Sequence, residues 1–486
     1  MNSIRKIVKK YTTLPVQIKA SVWFLICSFL QKGISMLTTP IFTRLLTTAE
    51  YGQYNVFNSW YGILTIFITL NLHYGVFSQG LVKFEEDRNV FCSTLQGLSL
   101  TLALLWTGIY FLFCPYWNAL FSLSTVQMLA ILVMSWASTA FGYWAAEQRV
   151  EYKYKALAVI TLVVSLAKPL VGITFVILAE DKVTARILGL ALVEIIAYTG
   201  LFALQVKRGK QLYSQKYWKY ALAFNIPLIP HYLSQIVLSS SDRIMISKMI
   251  GDSEAGIYSL AYSLSSIMQL FNSALMQTLS PWIYKKIKKN EVTDIKPIAY
   301  ISLLLIALVN LLLILLAPEA VAIFAPKTYH EAIYVIPPVA MSVFFMYSYD
   351  LFAKFAFYYE KTQMIMLASC AGAALNVLLN YIFIGQYGYI AAGYTTLACY
   401  IIYACAHYIM MNRVCRQYCN GVKPYDGKRL LTISVVFLTL GFILLSTYDH
   451  VVVRYGIIVG VMCIAVIFRN KLKKVLQDIL SVRKSR

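Results

Sequence analysis

The sequence predicts an all-α integral membrane protein of about 14 transmembrane helices, laid out as two pseudo-symmetric six-helix lobes followed by two C-terminal helices. Three observations lead there. The chain of 486 residues is 59% apolar and only 13% charged, with mean hydropathy +0.66, whereas a water-soluble globule carries about 25% charged residues. Apolar stretches of bilayer-crossing length, roughly 20 residues, recur throughout. One stretch is also written twice. Gln31 through Phe67, laid without a gap over Gln235 through Phe271, pairs Gln31 with Gln235, Ser35 with Ser239, Glu50 with Glu254, Gly52 with Gly256 and Tyr54 with Tyr258. Shared Glu, Gly and Tyr at one offset point to a fold-level repeat, which is common in secondary transporters.

The spans fall near 18–46, 54–80, 91–113, 124–146, 156–179, 186–205, 218–249, 256–282, 297–317, 333–358, 363–385, 389–411, 430–447 and 451–468. Spans one to six form an N-terminal lobe (1–205), a basic cytoplasmic linker covers 206–220, and spans seven to twelve form a C-terminal lobe (221–411). The last two spans and a basic tail occupy 412–486. Each half holds an even number of spans, so the repeat is parallel. Most of the 43 Lys and Arg lie in the N-terminus, the even-numbered connections and the tail. The positive-inside rule then places both termini in the cytoplasm, and the net charge of +22 reports topology and attraction to anionic membrane lipids, not nucleic acid. Segments 2–19 and 469–486 mix basic and apolar residues as interfacial helices do. No signal-peptide cleavage is expected.

The nine cysteines are scattered and imply no disulfide framework. Cys415 and Cys419 stand at a spacing that suits half a metal site, but without further Cys or His they read as free thiols. No phosphate loop, zinc motif or nucleophile elbow is present, and every outward connection is short. The chain is therefore expected to be no enzyme and to need no cofactor.

Charge inside the spans carries the functional signal. Lys32, Arg44, Lys168, Arg243, Lys248 and Lys354 face only Glu194, Asp242 and Asp350, and each charge at mid-bilayer costs roughly 2.5–3.5 kcal/mol even on the lenient insertion scale. Together the six cations are candidates for a cationic, substrate-binding cavity; the three acids are candidates for ion coupling or pairing. Arg44 and Lys248 lie near outward span ends, where they either snorkel or line the cavity. Asp242 and Arg243 are helix neighbours that cannot face each other, whereas Asp350 and Lys354 stand acid-first at i,i+4 and suit a local pair. Lys32 and Lys168 have no acid within a helical turn and are the sharpest anion-binding candidates. Glu194 either partners one of them or titrates in a coupling step.

His73, His231 and His407 read first as hydrogen-bonded structural groups. Gln31, Gln235, Asn225, Asn376 and Asn380 suit either sugar hydroxyls or helix association. Tyr232, Tyr262, Tyr347 and Tyr349 are candidates for a sugar path. Pro227 and Pro230, Pro169, and Pro337 with Pro338 are expected to interrupt their helices.

The segment Pro40 to Tyr54, reading Pro-Ile-Phe-Thr-Arg-Leu-Leu-Thr-Thr-Ala-Glu-Tyr-Gly-Gln-Tyr, resembles the N-terminal signature of bacterial polysaccharide and O-antigen flippases. So do Ser241-Asp242-Arg243-Ile244, Gly256-Ile257-Tyr258 and Ser280-Pro281-Trp282. These flippases belong to the multidrug/oligosaccharidyl-lipid/polysaccharide exporter superfamily. The resemblance implies two six-helix lobes around a central cavity, working by alternating access at the bacterial inner membrane. It implies as substrate an undecaprenyl-pyrophosphate-linked oligosaccharide repeat unit, moved for O-antigen or capsule assembly. Expected partners are a polysaccharide polymerase, a chain-length regulator and a coupling ion, H+ or Na+. Sugar hydroxyls each cost roughly 4–8 kcal/mol to move into hydrocarbon, so such a substrate needs a carrier, and cations suit its pyrophosphate.

A cation-coupled drug exporter of the same superfamily is the nearest alternative, disfavoured by the net positive membrane interior. A membrane-embedded glycan polymerase or ligase would be expected to carry a large outward loop. A scaffold would have little use for intramembrane cations. From these residues alone, Lys32→Ala or Lys168→Ala is expected to reduce glycan export at unchanged abundance.

Overall fold

The computed structural model describes residues 15–467, and these are helical throughout their spans. The expected interfacial segments 2–19 and 469–486 lie largely or wholly outside the described residues. Contacts divide the chain into two compact units, one ending at Ile236 and the other beginning at Val237.

The first unit holds α1 (Val16–Leu45), α2 (Thr48–Thr69), α3 (Val76–Lys83), α4 (Arg88–Leu112), α5 (Cys114–Phe121), α6 (Thr125–Val150), α7 (Tyr154–Leu178), α8 (Lys182–Gly209), α9 (Gln215–Asn225) and the start of α10 (Ile229–Met249). The second takes the rest of α10, then α11 (Asp252–Ser265), α12 (Ile267–Lys288), α13 (Ile295–Leu315), α14 (Ala317–Phe324), α15 (Ala332–Tyr358), α16 (Thr362–Tyr387), α17 (Ala391–Tyr418), α18 (Gly427–Ser446) and α19 (Val451–Ile467).

Each of the 14 apolar stretches is helical, yet only 11 helices among the described residues are long and apolar enough to cross a membrane. Stretches two and eight fall short for local reasons, and the described part of the fourteenth is the shorter apolar helix Val451–Cys463. The second breaks after Thr69, where Leu70 and Asn71 turn left-handed at φ 51° and 52°. The eighth divides at Ser266 into α11 and α12. Pro227 does interrupt its span, at the 3₁₀ turn Ile226–Leu228. By contrast α7 runs through Pro169 and α15 through Pro337 and Pro338: a membrane helix tolerates a missing bond where neighbouring helices cover the gap.

The repeat is visible in local geometry. Leu45 and Met249 close one helix, and Thr48 and Asp252 open the next, at the offset that pairs Glu50 with Glu254. Glu50 forms a capping box, accepting from the Thr47 backbone N–H at 2.7 Å while its own N–H donates to the Thr47 hydroxyl; this satisfies two orphan donors of the first turn. In the second copy Gly251 replaces the threonine, and the Glu254 carboxylate folds back to 2.7 Å from where a Gly251 Cβ would stand. Gly52 and Gly256 are both buried.

In the first unit α8 packs along α6, α7 and α4. The linker is strapped to α4: Ser93 donates to the Gln211 carbonyl at 2.6 Å, Trp218 Nε1 donates to the Thr94 carbonyl at 2.8 Å, and the Tyr217 hydroxyl donates to Asp87 at 3.0 Å. Gly97 permits this approach, since a methyl there would overlap the Leu212 carbonyl oxygen. At the same end Glu147 accepts from Gln205 Nε2 at 2.7 Å, and Gln205 Oε1 accepts from Gln96 at 2.7 Å.

The second unit is organised on α15, whose apolar window is 83% buried, as expected of a helix hydrophobic all round. It packs against α11, α12, α13 and, most extensively, α17. The last two helices are fastened to this lobe. The Asp426 N–H donates to the Tyr300 hydroxyl at 2.7 Å, the Tyr448 hydroxyl donates to the Ile314 carbonyl at 2.6 Å, and Arg454 pairs with Glu319 at 2.6 Å.

Gly97→Ala should destabilise the purified protein by about 1–3 kcal/mol through overpacking, read as a lowered Tm. Gly108→Ala, on the same helix with open space around it, should leave Tm unchanged or raise it. A second prediction concerns Glu151, between α6 and α7, which pairs with Lys153 at 2.5 Å and Arg88 at 3.3 Å. Partial burial pushes its carboxyl up, but the two cations outweigh this and hold it below the usual glutamate range. Its stabilisation is thus complete above the unfolded pKa of about 4.3 and is lost as pH falls through the lower folded value. Glu151→Gln should cost up to about 1 kcal/mol near pH 7, and the gap in Tm from the parent should close on acidification below pH about 4.

Candidate functional site

Two buried polar centres stand out, one in each unit. In the first, Lys168 on α7 reaches Glu194 on α8, Nζ to Oε1 2.6 Å. Glu194 is 4% exposed, and its Oε2 has no hydrogen-bond partner among the described residues. Lys168 thus lacks an acid on its own helix, as read from the sequence, but has one on the adjacent helix. That pairing neutralises the centre and leaves the lysine partly accessible, with its side chain 29% exposed.

The second centre is built around Asp242 on α10, 1% exposed. Its Oδ1 accepts from Asn380 Nδ2 at 2.6 Å; its Oδ2 accepts from the Tyr258 hydroxyl at 2.5 Å and the Thr396 hydroxyl at 3.0 Å. Asn376, one turn before Asn380 on α16, accepts from Ser241 at 3.2 Å and from Asn380 at 3.3 Å. The Thr395 hydroxyl donates to Asn380 Oδ1. Four helices, α10, α11, α16 and α17, thus converge on one carboxylate through neutral donors. Carboxylate, amide and hydroxyl oxygens are hard ligands. Turning an amide exchanges a donor for an acceptor, so the centre can hold an ionised acid, a protonated acid or a small cation.

Arg243 does not join its neighbour. Its guanidinium lies 4.3 Å from the centroid of the Tyr262 ring and donates to the Ser239 carbonyl at 3.2 Å. Asp350 and Lys354 form the i,i+4 pair at 2.6 Å that their spacing implies. Arg44 and Lys248 are exposed near the ends of α1 and α10, and Arg44 donates to the Pro40 carbonyl at 2.9 Å. Lys32 is exposed on α1 and makes no ion pair among the described residues.

Other groups escaped the sequence reading. Arg186, at the start of α8, lies 3.6 Å from the Phe42 centroid and 3.4 Å from that of Tyr54. Both rings belong to the Pro40–Tyr54 signature, so that segment encodes an aromatic box for a cation; Arg186 opens the sixth apolar stretch, 186–205, and is not among the candidate cations named from the sequence. His73 packs where a Gly142 side chain would stand. No group of His, Cys, Asp and Glu among the described residues suits a metal ion such as zinc, and all nine cysteines are free. Two cavities, about 330 Å³ beside Trp60, Trp106 and Trp117 and about 440 Å³ between α13, α15, α17 and α18, have overwhelmingly apolar walls.

Residues 18–287 match the family model described as "Polysaccharide biosynthesis protein", and residues 227–382 match MatE. An uncharacterized membrane protein of Haemophilus influenzae is 23% identical over 378 residues, 76% of this chain and 89% of its own. The Lsg locus putative protein 1 of the same organism is 24% identical over 211 residues, 41% and 51% of the two chains. Among solved structures, an inward-facing multidrug resistance MATE family transporter of the MOP superfamily superposes with TM-score 0.61 at 11% identity, covering 79% of this chain and 95% of its own. The Vibrio cholerae MATE transporter VcmN in its bent form gives 0.54 at 13% identity, covering 84% and 98%. A Pyrococcus furiosus MOP superfamily transporter, described as having a binding pocket of reverse polarity, gives 0.55 at 12%, covering 82% and 95%. With more than half of its length matched by one model, this chain belongs to the family described as "Polysaccharide biosynthesis protein", and it shares the fold of the MATE transporters.

Proposed function

We propose that the chain is a flippase that carries undecaprenyl-pyrophosphate-linked oligosaccharide repeat units across the bacterial inner membrane by alternating access, supplying O-antigen or capsular polysaccharide assembly. Both termini lie in the cytoplasm in this reading, and the product passes to a polysaccharide polymerase and a chain-length regulator. The family match over residues 18–287 carries the proposal. Lys32, Lys168, Arg243, Arg44, Lys248 and Lys354 are the groups assigned to the pyrophosphate, with Lys32 and Lys168 foremost. The guanidinium and ammonium groups offer charge-assisted hydrogen bonds to phosphate oxygens, while the lipid chain stays in hydrocarbon.

Asp242 is assigned to energy coupling. A buried carboxylate among neutral donors gains or loses a proton or small cation with a change of net charge in a low-dielectric setting, which biases the conformations around it. The MatE match spans Asp242, Asn376 and Asn380 and favours a second reading, a cation-coupled multidrug exporter. That match speaks to the coupling centre more than to the cargo.

The deciding measurement is the amount and leaflet of lipid-linked repeat units in a strain deprived of this protein, before and after restoring it. Accumulation on the cytoplasmic side, cleared on restoration, is expected; normal export in a strain without a redundant flippase would refute the glycan reading and leave drug efflux. Within the same assay Lys168→Ala should lower abundance as well as export, because it strands Glu194 at a cost of about 3–5 kcal/mol. Lys168→Met with Glu194→Gln should recover abundance without recovering export. Asp242→Asn, nearly isosteric, should reduce export at least about tenfold at unchanged abundance. Equal export per molecule in the Lys168 double variant would remove that pair from the mechanism.

A further inference from the structure

His407 on α17 is fully buried, and among the described residues neither ring nitrogen meets a protein hydrogen-bond partner. A buried polar group left in this state calls for an explanation. The ring is enclosed by aromatic neighbours, Tyr403 one turn back at 4.5 Å between centroids and Tyr349 of α15 at 5.4 Å. The two charged side chains of α15, Asp350 and Lys354, are paired with each other.

His407 is also the last member of a row. Thr396, Tyr400, Tyr403 and His407 are spaced four, three and four residues apart, which puts them on one face of α17, and all four are buried. The row starts at the coupling centre, where the Thr396 hydroxyl donates to Asp242 at 3.0 Å. Farther along, the Tyr403 hydroxyl shares a 2.8 Å hydrogen bond with Ser369 of α16, and the Tyr349 ring stacks on Tyr400 at 6.3 Å. Eleven residues of helix cover about 16 Å, roughly half the hydrocarbon thickness of about 30 Å. Around Asp242 itself the facing groups are Tyr258 from α11, Asn380 from α16 and Thr396 from α17, with Arg243 turned to Tyr262.

We propose that this face of α17 is a proton route to Asp242, with His407 as its loading group at the inward end. The inference rests on the reading of Asp242 as the coupling centre and names the proton as its ion. Each hydroxyl in the row can accept one proton and release another. His407 takes a proton from the aqueous side on one ring nitrogen. The other ring nitrogen releases a proton to the Tyr403 hydroxyl across a bridging water, Tyr403 passes its own on to Tyr400, and Tyr400 to Thr396, each over one water molecule. The Asp242 carboxylate receives the last proton and becomes a neutral acid. His407 ends neutral as its other tautomer and every hydroxyl keeps one proton, reoriented; rotation of the ring and hydroxyls resets the row, so one proton has moved and only Asp242 has changed charge.

The test is proton uptake by the purified full-length protein after a rapid pH drop, followed by an impermeant pH dye in stopped flow, with no glycan present. The parent should take up protons in a phase that Asp242→Asn abolishes. His407→Gln and Tyr403→Phe should keep the amplitude of that phase and slow it at least about tenfold, as loss of a positioned acid–base group does. Added imidazole should restore the rate in His407→Ala. Parent-like rates in His407→Gln and Tyr403→Phe would overturn the route. If the glutamine variant fails to fold, Tyr403→Phe, which removes only a hydroxyl, decides alone. Uptake unchanged in Asp242→Asn would instead refute the coupling role of Asp242, an outcome distinct from failure of the route.

Discussion

Hydrocarbon offers nothing to a polar atom, and a charge placed there must be met by the protein itself. Asp242 is where this constraint binds most tightly. Its two oxygens take hydrogen bonds from α11, α16 and α17, and so fix how three helices approach α10. In the first unit Lys168 and Glu194 impose the same discipline on α7 and α8. These are specific attachments in a setting where apolar packing has little preference between helix and lipid.

The two halves use a shared plan for different ends. Tyr54 and Tyr258 occupy corresponding positions after matching glutamates, yet Tyr54 lies against the Arg186 guanidinium while Tyr258 donates to a carboxylate. The offset that pairs those tyrosines brings Thr38 opposite Asp242, and Thr38 only returns a bond to the Ser35 carbonyl of its own helix. The ionisable centre of the second half therefore has no copy in the first. A duplicated scaffold has kept its corner geometry and divided its chemistry.

Much of the fold was legible because the bilayer imposes length and composition together. Every apolar stretch is helical, and the Asp350–Lys354 pair follows from spacing alone. What remained hidden depended on distant partners or on local breaks. Asn380 and Thr396 lie 138 and 154 residues from Asp242, a separation that periodicity cannot span. The left-handed turn at Leu70 and Asn71 sits between two apolar runs that length and composition join into one span. Prolines misled in the other direction: Pro169, Pro337 and Pro338 suggest interruption, but packing around α7 and α15 carries those helices through. Arg186 opens the sixth apolar stretch, but its aromatic partners Phe42 and Tyr54 lie far earlier in the chain.

The fastening of the last two helices bears on how the protein is made. Tyr300 and Glu319 are synthesised well before their partners Asp426 and Arg454. Until then the outer faces of α13 and α15 that receive α18 are bare, and Gly441, which lets α18 close against Met341, is still inside the ribosome. Closure of the second unit therefore waits on groups made 126 and 135 residues after those that receive them.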